Sequence, residues 1–304
     1  MSRPQRSPRV RIDGVLLLDK PGGMTSNAAL QKARWLFNAA KAGHTGTLDP
    51  MATGLLPLCL GEATKFAGEL LDADKAYEAT LHLGVTTDTA DAEGSVLQTR
   101  PVAVARDQAE AALARFRGAI DQVPPMHSAL KRDGRPLYEY ARQGIEVERA
   151  PRPVVIHALE LRRLEGERLD IAVACSKGTY VRTLAQDIGE VLGCGAHLAA
   201  LRRTRIGRLR LEDAVTLESI EALPPESRPG LLQPADALLA GLPRLDLDQT
   251  EALRLCQGQA LRAGPGSAGR VRLYGPEGGF LGVGRLDGAG QLAPLRMVMS
   301  VIEK

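Results

Sequence analysis

Residues 41–58, KAGHTGTLDPMATGLLPL, frame a single carboxylate, Asp49, with three glycines and two prolines, and set His44 five positions upstream. Two readings are open for Asp49. Pro50 pushes it toward extended backbone angles and suits the first position of a helix, so Asp49 reads as the N-cap of a helix through Met51–Leu58. The small residues on both sides instead keep bulk away and leave room for a ligand to reach the carboxylate. His44 reads either as a turn histidine bonded within its own loop or as a second member of that site. A second stretch, CSKGTYVR at 175–182, ends a strand in a Ser-Lys-Gly turn and brings Tyr180 and Arg182 to a loop-to-helix junction. There Arg182 is either a surface arginine or a carboxylate partner that keeps an aspartate ionised. Tyr77 opens a strand after DADK and reads as a half-buried edge tyrosine or as an aromatic platform.

Other chemistries lack their residues. No G-x-x-x-x-G-K-[ST] loop, no G-x-G-x-x-G after a strand and no G-x-S-x-G serine is present. The carboxylates of TTDTADAEG, 86–94, lack the twelve-residue calcium-loop spacing and read as a solvated turn. The four cysteines lie far apart and read as buried thiols of a reducing compartment, and Cys194 with His197 has no second pair to complete a zinc site. GHTG with SKGT is faintly similar to the signature loops of adenylyl-transferring enzymes, but the second histidine of that pattern is missing.

The elements that must position these residues follow from periodicity. GVLLLDK reads as a buried strand ended by a Pro-Gly-Gly turn, followed by a helix capped by Ser26 with Leu30, Ala33, Leu36, Phe37 and Ala40 on one stripe. EATKFAGELLDADK reads as a helix burying Ala63, Phe66, Ala67, Leu70 and Leu71. YEATLHLG alternates as a half-buried strand, RDQAEAALARFRG is amphipathic, and LDIAVACSKGTYVRTLAQDIGEVLG runs strand, turn, helix. Residues 124–152 are basic, carry paired tyrosines and lack sustained periodicity, so they read as an exposed, partly mobile insertion. Five prolines within 222–243 mark a boundary, and the residues beyond it read as a β-meander. The expected organisation is an α+β catalytic domain over 1–243, with a mixed, largely antiparallel sheet flanked by helices, and a small β domain over 244–304.

Composition is that of an ordinary globular chain: 304 residues, 44% apolar and 25% charged, with a formal charge of +3. Arginine is unevenly spread, with four in the first eleven residues and five in RRTRIGRLR at 202–210. Such clusters suit a polyanion or form a solvated basic face. No apolar run approaches the ~18 residues that cross a membrane, and no secretory signal is visible, so a cytoplasmic location is expected.

GVLLLDKPGGMTS, AGHTGTLDPMATGLLPLCLGEATKF, KAYEATLHLGVTTDTADAEG, PPMHSALKRDGRPLYEYARQG and CSKGTYVRTLAQDIGEVLGCGAHLAALRRTRIG together resemble the TruB family of bacterial tRNA pseudouridine-55 synthases, in order and over nearly the whole chain. Departures are His127, where relatives often carry an aromatic ring, and the C-terminal segment. The resemblance implies isomerisation of one uridine in the T arm of tRNA to its C-glycoside, without cofactor or metal. It implies Asp49 as nucleophile, His44 entering the space of the flipped base, Tyr77 stacking on the uracil, Arg182 pairing with Asp49, Tyr180 and Leu201 completing the pocket, and Lys20 supporting it. It also implies a basic insertion that grips the T stem-loop, a C-terminal PUA-like domain touching RNA elsewhere, tRNA as partner, a monomer, and assistance to tRNA folding. An RNA-folding protein without chemistry, and an adenylyl transferase, are the rival readings.

Overall fold

The computed structural model describes residues 8–263 and 268–298; Arg3 and Arg6 of the N-terminal cluster lie outside them. The chain opens with β1 (Gly14–Lys20), α1 (Ser26–Leu36), β2 (Ala42–His44) and β3 (Thr53–Leu60). β1 and β3 pair antiparallel from Gly14–Leu60 to Lys20–Gly54. Their near-continuous apolar runs are explained by burial on both faces: Leu16, Leu18, Leu56 and Leu58 point into one core, while Val15, Leu17, Leu55 and Cys59 point into another. α1 is capped by Thr25, whose hydroxyl accepts from the Ala28 amide at 3.1 Å. Ser26, expected as the cap, is instead the first helical residue and is buried. Met51–Leu58 is not helical, because the Leu-rich run is absorbed by β3.

A 3₁₀ segment, Gly61–Leu70, buries Ala63, Phe66 and Leu70 and leaves Leu71 exposed, since its tighter winding turns that residue outward. Next come β4 (Lys75–Leu83), the hairpin β5 (Val85–Thr87) and β6 (Val96–Thr99), α2 (Arg106–Ala114) and β7 (Gly118–Gln122). The basic insertion carries a minimal hairpin, β8 (Lys131–Arg132) with β9 (Arg135–Pro136), and one short helix, α3 (Leu137–Ala141). The chain returns through β10 (Arg152–Glu165), β11 (Arg168–Cys175), α4 (Val181–Val191), β12 (Ala196–Ile206), β13 (Leu209–Arg210) and α5 (Leu217–Ala222). The main sheet runs β1-β3-β12-β4-β11-β10-β7, antiparallel except where β12 lies parallel to β3.

Beyond the proline-rich stretch, β14 (Arg244–Asp246), α6 (Gln249–Cys256), β15 (Leu261–Arg262), β16 (Gly269–Tyr274), β17 (Phe280–Leu286) and β18 (Gln291–Met297) build a five-stranded sheet in the order β14-β16-β17-β18-β15. This sheet has a core of its own around Leu255, Leu273 and Leu292. It also packs Phe280, Val283 and Val298 against Val15, Leu17, Leu55 and Phe66 of the main body. Arg270 forks onto Glu69 at 2.9 and 2.6 Å, tying the two sheets together at the margin. No described helix is long and apolar enough to cross a membrane.

Candidate active site

Asp49 sits in the loop between β2 and β3, closed by a single turn in which the Ala52 amide donates to the Asp49 carbonyl at 3.1 Å. Buried donors from separate elements hold this loop. The Ser26 hydroxyl donates to the Leu48 carbonyl at 3.0 Å and accepts from the Leu48 amide at 2.8 Å. Lys20, fully buried, donates from Nζ to the carbonyls of Pro21 at 2.8 Å, Met24 at 2.6 Å and Pro50 at 3.3 Å. The Gly23 amide also donates to the Pro50 carbonyl, at 2.9 Å. Burial lowers the Lys20 pKa, and the nearby Asp49 charge opposes that shift. Lys20 therefore supports the Asp49 turn from behind and is not among the residues lining the cleft.

Arg182, in the first turn of α4, is the electrostatic hub. Its Nε lies 3.1 Å from Asp49 Oδ2 and its Nη1 lies 3.5 Å from Asp91 Oδ2. Nη1 also donates to the Thr89 carbonyl at 3.3 Å, and Nη2 to the His127 carbonyl at 2.7 Å. The Arg182 and Asp91 side chains are 7% and 5% exposed, whereas the Asp49 side chain is 39% exposed, so one carboxylate of the pair is sealed and the other faces solvent. Asp91 comes from the acidic turn that reads as solvated in sequence. It is buried because its Oδ1 accepts from the Thr89 hydroxyl at 2.6 Å and the Glu93 amide at 3.0 Å.

Tyr77, Tyr180 and Leu201 join Asp49 and Arg182 around a cleft of about 640 Å³, whose rim also carries His127, Tyr138 and Arg142. Tyr77 and Leu201 come from the neighbouring strands β4 and β12, in which Leu201 opposes Ala79. Tyr180 precedes α4 and is held through its backbone. The buried Gln122 side chain accepts from the Tyr180 amide at 3.0 Å and donates to its carbonyl at 3.3 Å. Burial pushes both phenols above their ordinary range, so Tyr77 and Tyr180 are neutral at pH 7. His44 ends β2 outside the lining of the cleft, with a buried Nδ1 that has no partner among the described residues. Burial first, and the Arg203 charge second, lower its pKa, leaving a neutral imidazole at pH 7.

The structure thus brings Asp49, Arg182, Tyr77, Tyr180 and Leu201 together and sets Lys20 and His44 behind or beside them. It adds Asp91, Gln122 and Arg203, and it places Ser26, which reads as a helix cap in the sequence, behind the Asp49 loop. Among the described residues no group of three His, Cys, Asp or Glu side chains is placed to hold a metal ion. A carboxylate fixed by an arginine, open to a cleft of about 640 Å³ and flanked by neutral aromatic rings, is equipped to attack or stabilise an electron-poor carbon beside a stacked planar group.

Three family models match consecutive parts of the chain: the TruB family pseudouridylate synthase N-terminal domain over 34–181, the tRNA pseudouridylate synthase B C-terminal domain over 182–240, and the pseudouridine synthase II TruB C-terminal domain over 243–298. The chain is 65% identical over 300 residues to tRNA pseudouridine synthase B of Aromatoleum aromaticum, covering 99% of this chain and 97% of that one. It is 60% identical over 294 residues to the protein of that name from Azoarcus sp., covering 97% of each. Among solved structures it resembles a chain of a Cbf5-Nop10-Gar1 complex, with TM-score 0.69, 27% identity and coverage of 91% of this chain and 79% of that one.

Proposed function

The chain belongs to the TruB family of pseudouridylate synthases, and from that premise we propose that it converts uridine 55 in the T loop of tRNA to pseudouridine, with Asp49 as the nucleophile. The observation that carries this reading is the asymmetric ion pair. Arg182 keeps a carboxylate in place at the cleft while leaving more than a third of its side chain open. The reaction breaks the N1–C1′ bond, turns the uracil within the pocket and forms the C5–C1′ bond, after which the C5 proton leaves. Asp49 adds to C1′ as the uracil departs, adds to the uracil ring, or stabilises a glycal formed by loss of a ribose proton. None of these routes needs an oxidant, reductant or water as reactant.

Reaching a stacked uridine requires extracting it, at a cost of a few kcal/mol. Stacking on Tyr77, worth roughly 1–3 kcal/mol, offsets much of that cost. Tyr180 and Leu201 bound the pocket, and His44, neutral and near the Asp49 loop, occupies the space the base leaves. Arg205, Arg208 and Arg210 are exposed and supply phosphate contacts together with the basic insertion, whereas the five-stranded sheet binds RNA outside the T loop.

The test is release of tritium from unmodified tRNA labelled at uracil C5, without ATP or added metal. Release by the wild type is expected to fall by about 10³-fold or more in Asp49→Asn, roughly 4 kcal/mol of barrier, with tRNA affinity nearly unchanged. Full activity in Asp49→Asn would remove the carboxylate from the chemistry. Absence of release by the wild type, with tight tRNA binding, would leave an RNA-folding protein.

A further inference from the structure

Building on the reaction proposed above, we infer that Arg203 is a positioning residue: its buried guanidinium orients the Tyr77 hydroxyl into the cleft and locks that tyrosine to the Asp49 loop. Arg203 lies directly opposite Tyr77 in the antiparallel register of β12 and β4, so the two side chains share a face of the sheet. Arg202, next along the strand, points the other way and forks onto Asp19 at 3.1 and 2.6 Å. Arg203 is 2% exposed and, among the described residues, has no carboxylate partner. Its Nε donates to the Leu55 carbonyl at 2.8 Å and its Nη1 to the Thr47 carbonyl at 3.4 Å, two residues before Asp49. Nη2 is buried and makes no hydrogen bond among the described residues, so it is the donor left over on the face that Arg203 shares with Tyr77. The Tyr77 phenol is the neighbour that bears most on this guanidinium after burial itself.

A buried guanidinium without a counter-ion is costly, and the fold is built to keep this one. Gly54 of β3, at φ +99°, lies so close to Arg203 that a Cβ there would fall 2.3 Å from the Arg203 carbonyl oxygen. Only glycine lets the two strands approach at this point. Arginine has donors and no acceptor, so the Tyr77 oxygen can only accept from it, and the Tyr77 O–H is thereby directed away, toward the cleft. Tyr77 consequently presents a hydrogen-bond donor to the uracil or ribose, and Arg203 faces the oxygen whenever that proton is shared. The other charged or titratable groups that bear on the phenol are Cys175 and Asp49, and both act against its ionisation.

The test reads Tyr77 directly and then through kinetics. In protein carrying 3-fluorotyrosine at its five tyrosines, the ¹⁹F resonance of Tyr77 is identified by its loss in Tyr77→Phe. Arg203→Gln is expected to move that resonance and leave the other four in place, which also reports that the fold is intact. In single-turnover reactions Arg203→Gln is expected to slow conversion roughly 10-fold in the wild-type background and less than about twofold in Tyr77→Phe, because the guanidinium acts through the hydroxyl that Phe lacks. Arg203→Lys, which keeps the cation but loses the fork, gives the same readouts with a smaller loss and serves if the glutamine variant does not fold. An unmoved Tyr77 resonance, or equal slowing in both backgrounds, overturns the inference. A wild type that converts no tRNA would instead sink the reaction assigned above, while the fluorine spectrum would still decide the contact.

Discussion

The two walls of the cleft are built on opposite principles. On the Asp49 wall, a loop without regular structure is fixed by Ser26, Lys20 and Arg203, which are all buried and all direct donors at backbone carbonyls within three residues of Asp49. On the insertion wall, residues 124–152 bury little besides Pro124, Ser128, Leu137 and Val147. They are held by exposed contacts: Arg132 to the Glu148 carbonyl at 2.8 Å, Arg135 near Glu139 at 3.5 Å and over the Tyr140 ring at 4.9 Å. Buried hydrogen bonds are expensive to lose, whereas exposed ion pairs contribute between nothing and about 1 kcal/mol. The wall that carries Asp49 is preorganised, and the wall formed by the basic insertion is lightly held. Arg182 touches both, since it bonds the His127 carbonyl at the root of the insertion as well as Asp49.

The comparison breaks most visibly at that shared residue. Arg182→Met strands Asp91 as an uncompensated buried charge and frees Asp49, so a loss of about 3–5 kcal/mol in unfolding free energy is expected. A fall of at least roughly 100-fold in single-turnover rate should accompany it. Denaturant titration and the tritium assay measure the two effects; a stable, active Arg182→Met would deny the hub its role. Ser26→Ala removes two buried hydrogen bonds from Leu48 and should cost about 1–3 kcal/mol, with a kinetic penalty that persists at saturating tRNA. Arg135→Ala on the other wall should cost no more than about 0.5 kcal/mol and change affinity, not rate. Equal penalties from these two substitutions would erase the distinction between the walls.

A separate expected effect is a pH dependence. His44 has a lowered pKa in the native state, so between that value and its ordinary ~6.5 the unfolded chain binds more protons. Stability therefore rises with pH through this window and is lost as pH falls below about 6.5, by at most ~1.4 kcal/mol per pH unit. Melting curves of the wild type and His44→Gln between pH 5 and 7.5 should converge at the upper end and separate at the lower. Parallel curves would place the imidazole in a more solvated setting.

Legibility in the sequence followed period and local turns. YEATLHL and LDIAVAC alternate, and β4 and β11 are where that alternation places them. The Ser-Lys-Gly turn leading into an amphipathic helix delivered Tyr180 and Arg182 to the cleft. The Asp49 loop was ambiguous because TGLLPLCL fits a buried helix turn as well as a strand buried on both faces, and only pairing with β1 decides between them. Ser26 reads as a cap although Thr25 precedes it, a shift of one residue that hides a hydroxyl committed to Leu48. Asp91 was hidden by the exposed look of its acidic turn. Arg203 was hidden inside a basic cluster, although the alternation of β12 separates it from Arg202 and puts it on the face of Leu201.

The second apolar core has a consequence for how the protein is made. It joins Val15 and Leu17 to Phe280, Val283 and Val298, residues separated by more than 260 positions in sequence. During synthesis β1 emerges early, and Leu55, Ala63, Phe66 and Leu70 follow soon after to cover part of its Val15–Leu17 face, whereas Leu238, Leu239 and the residues from Phe280 on complete this core only near the end of the chain. The nascent protein therefore carries a partly covered strip of Val, Leu and Phe through most of translation. Arrest of synthesis shortly before residue 280 should yield a ribosome-bound species in which the cleft side is packed while this strip is open to chaperones.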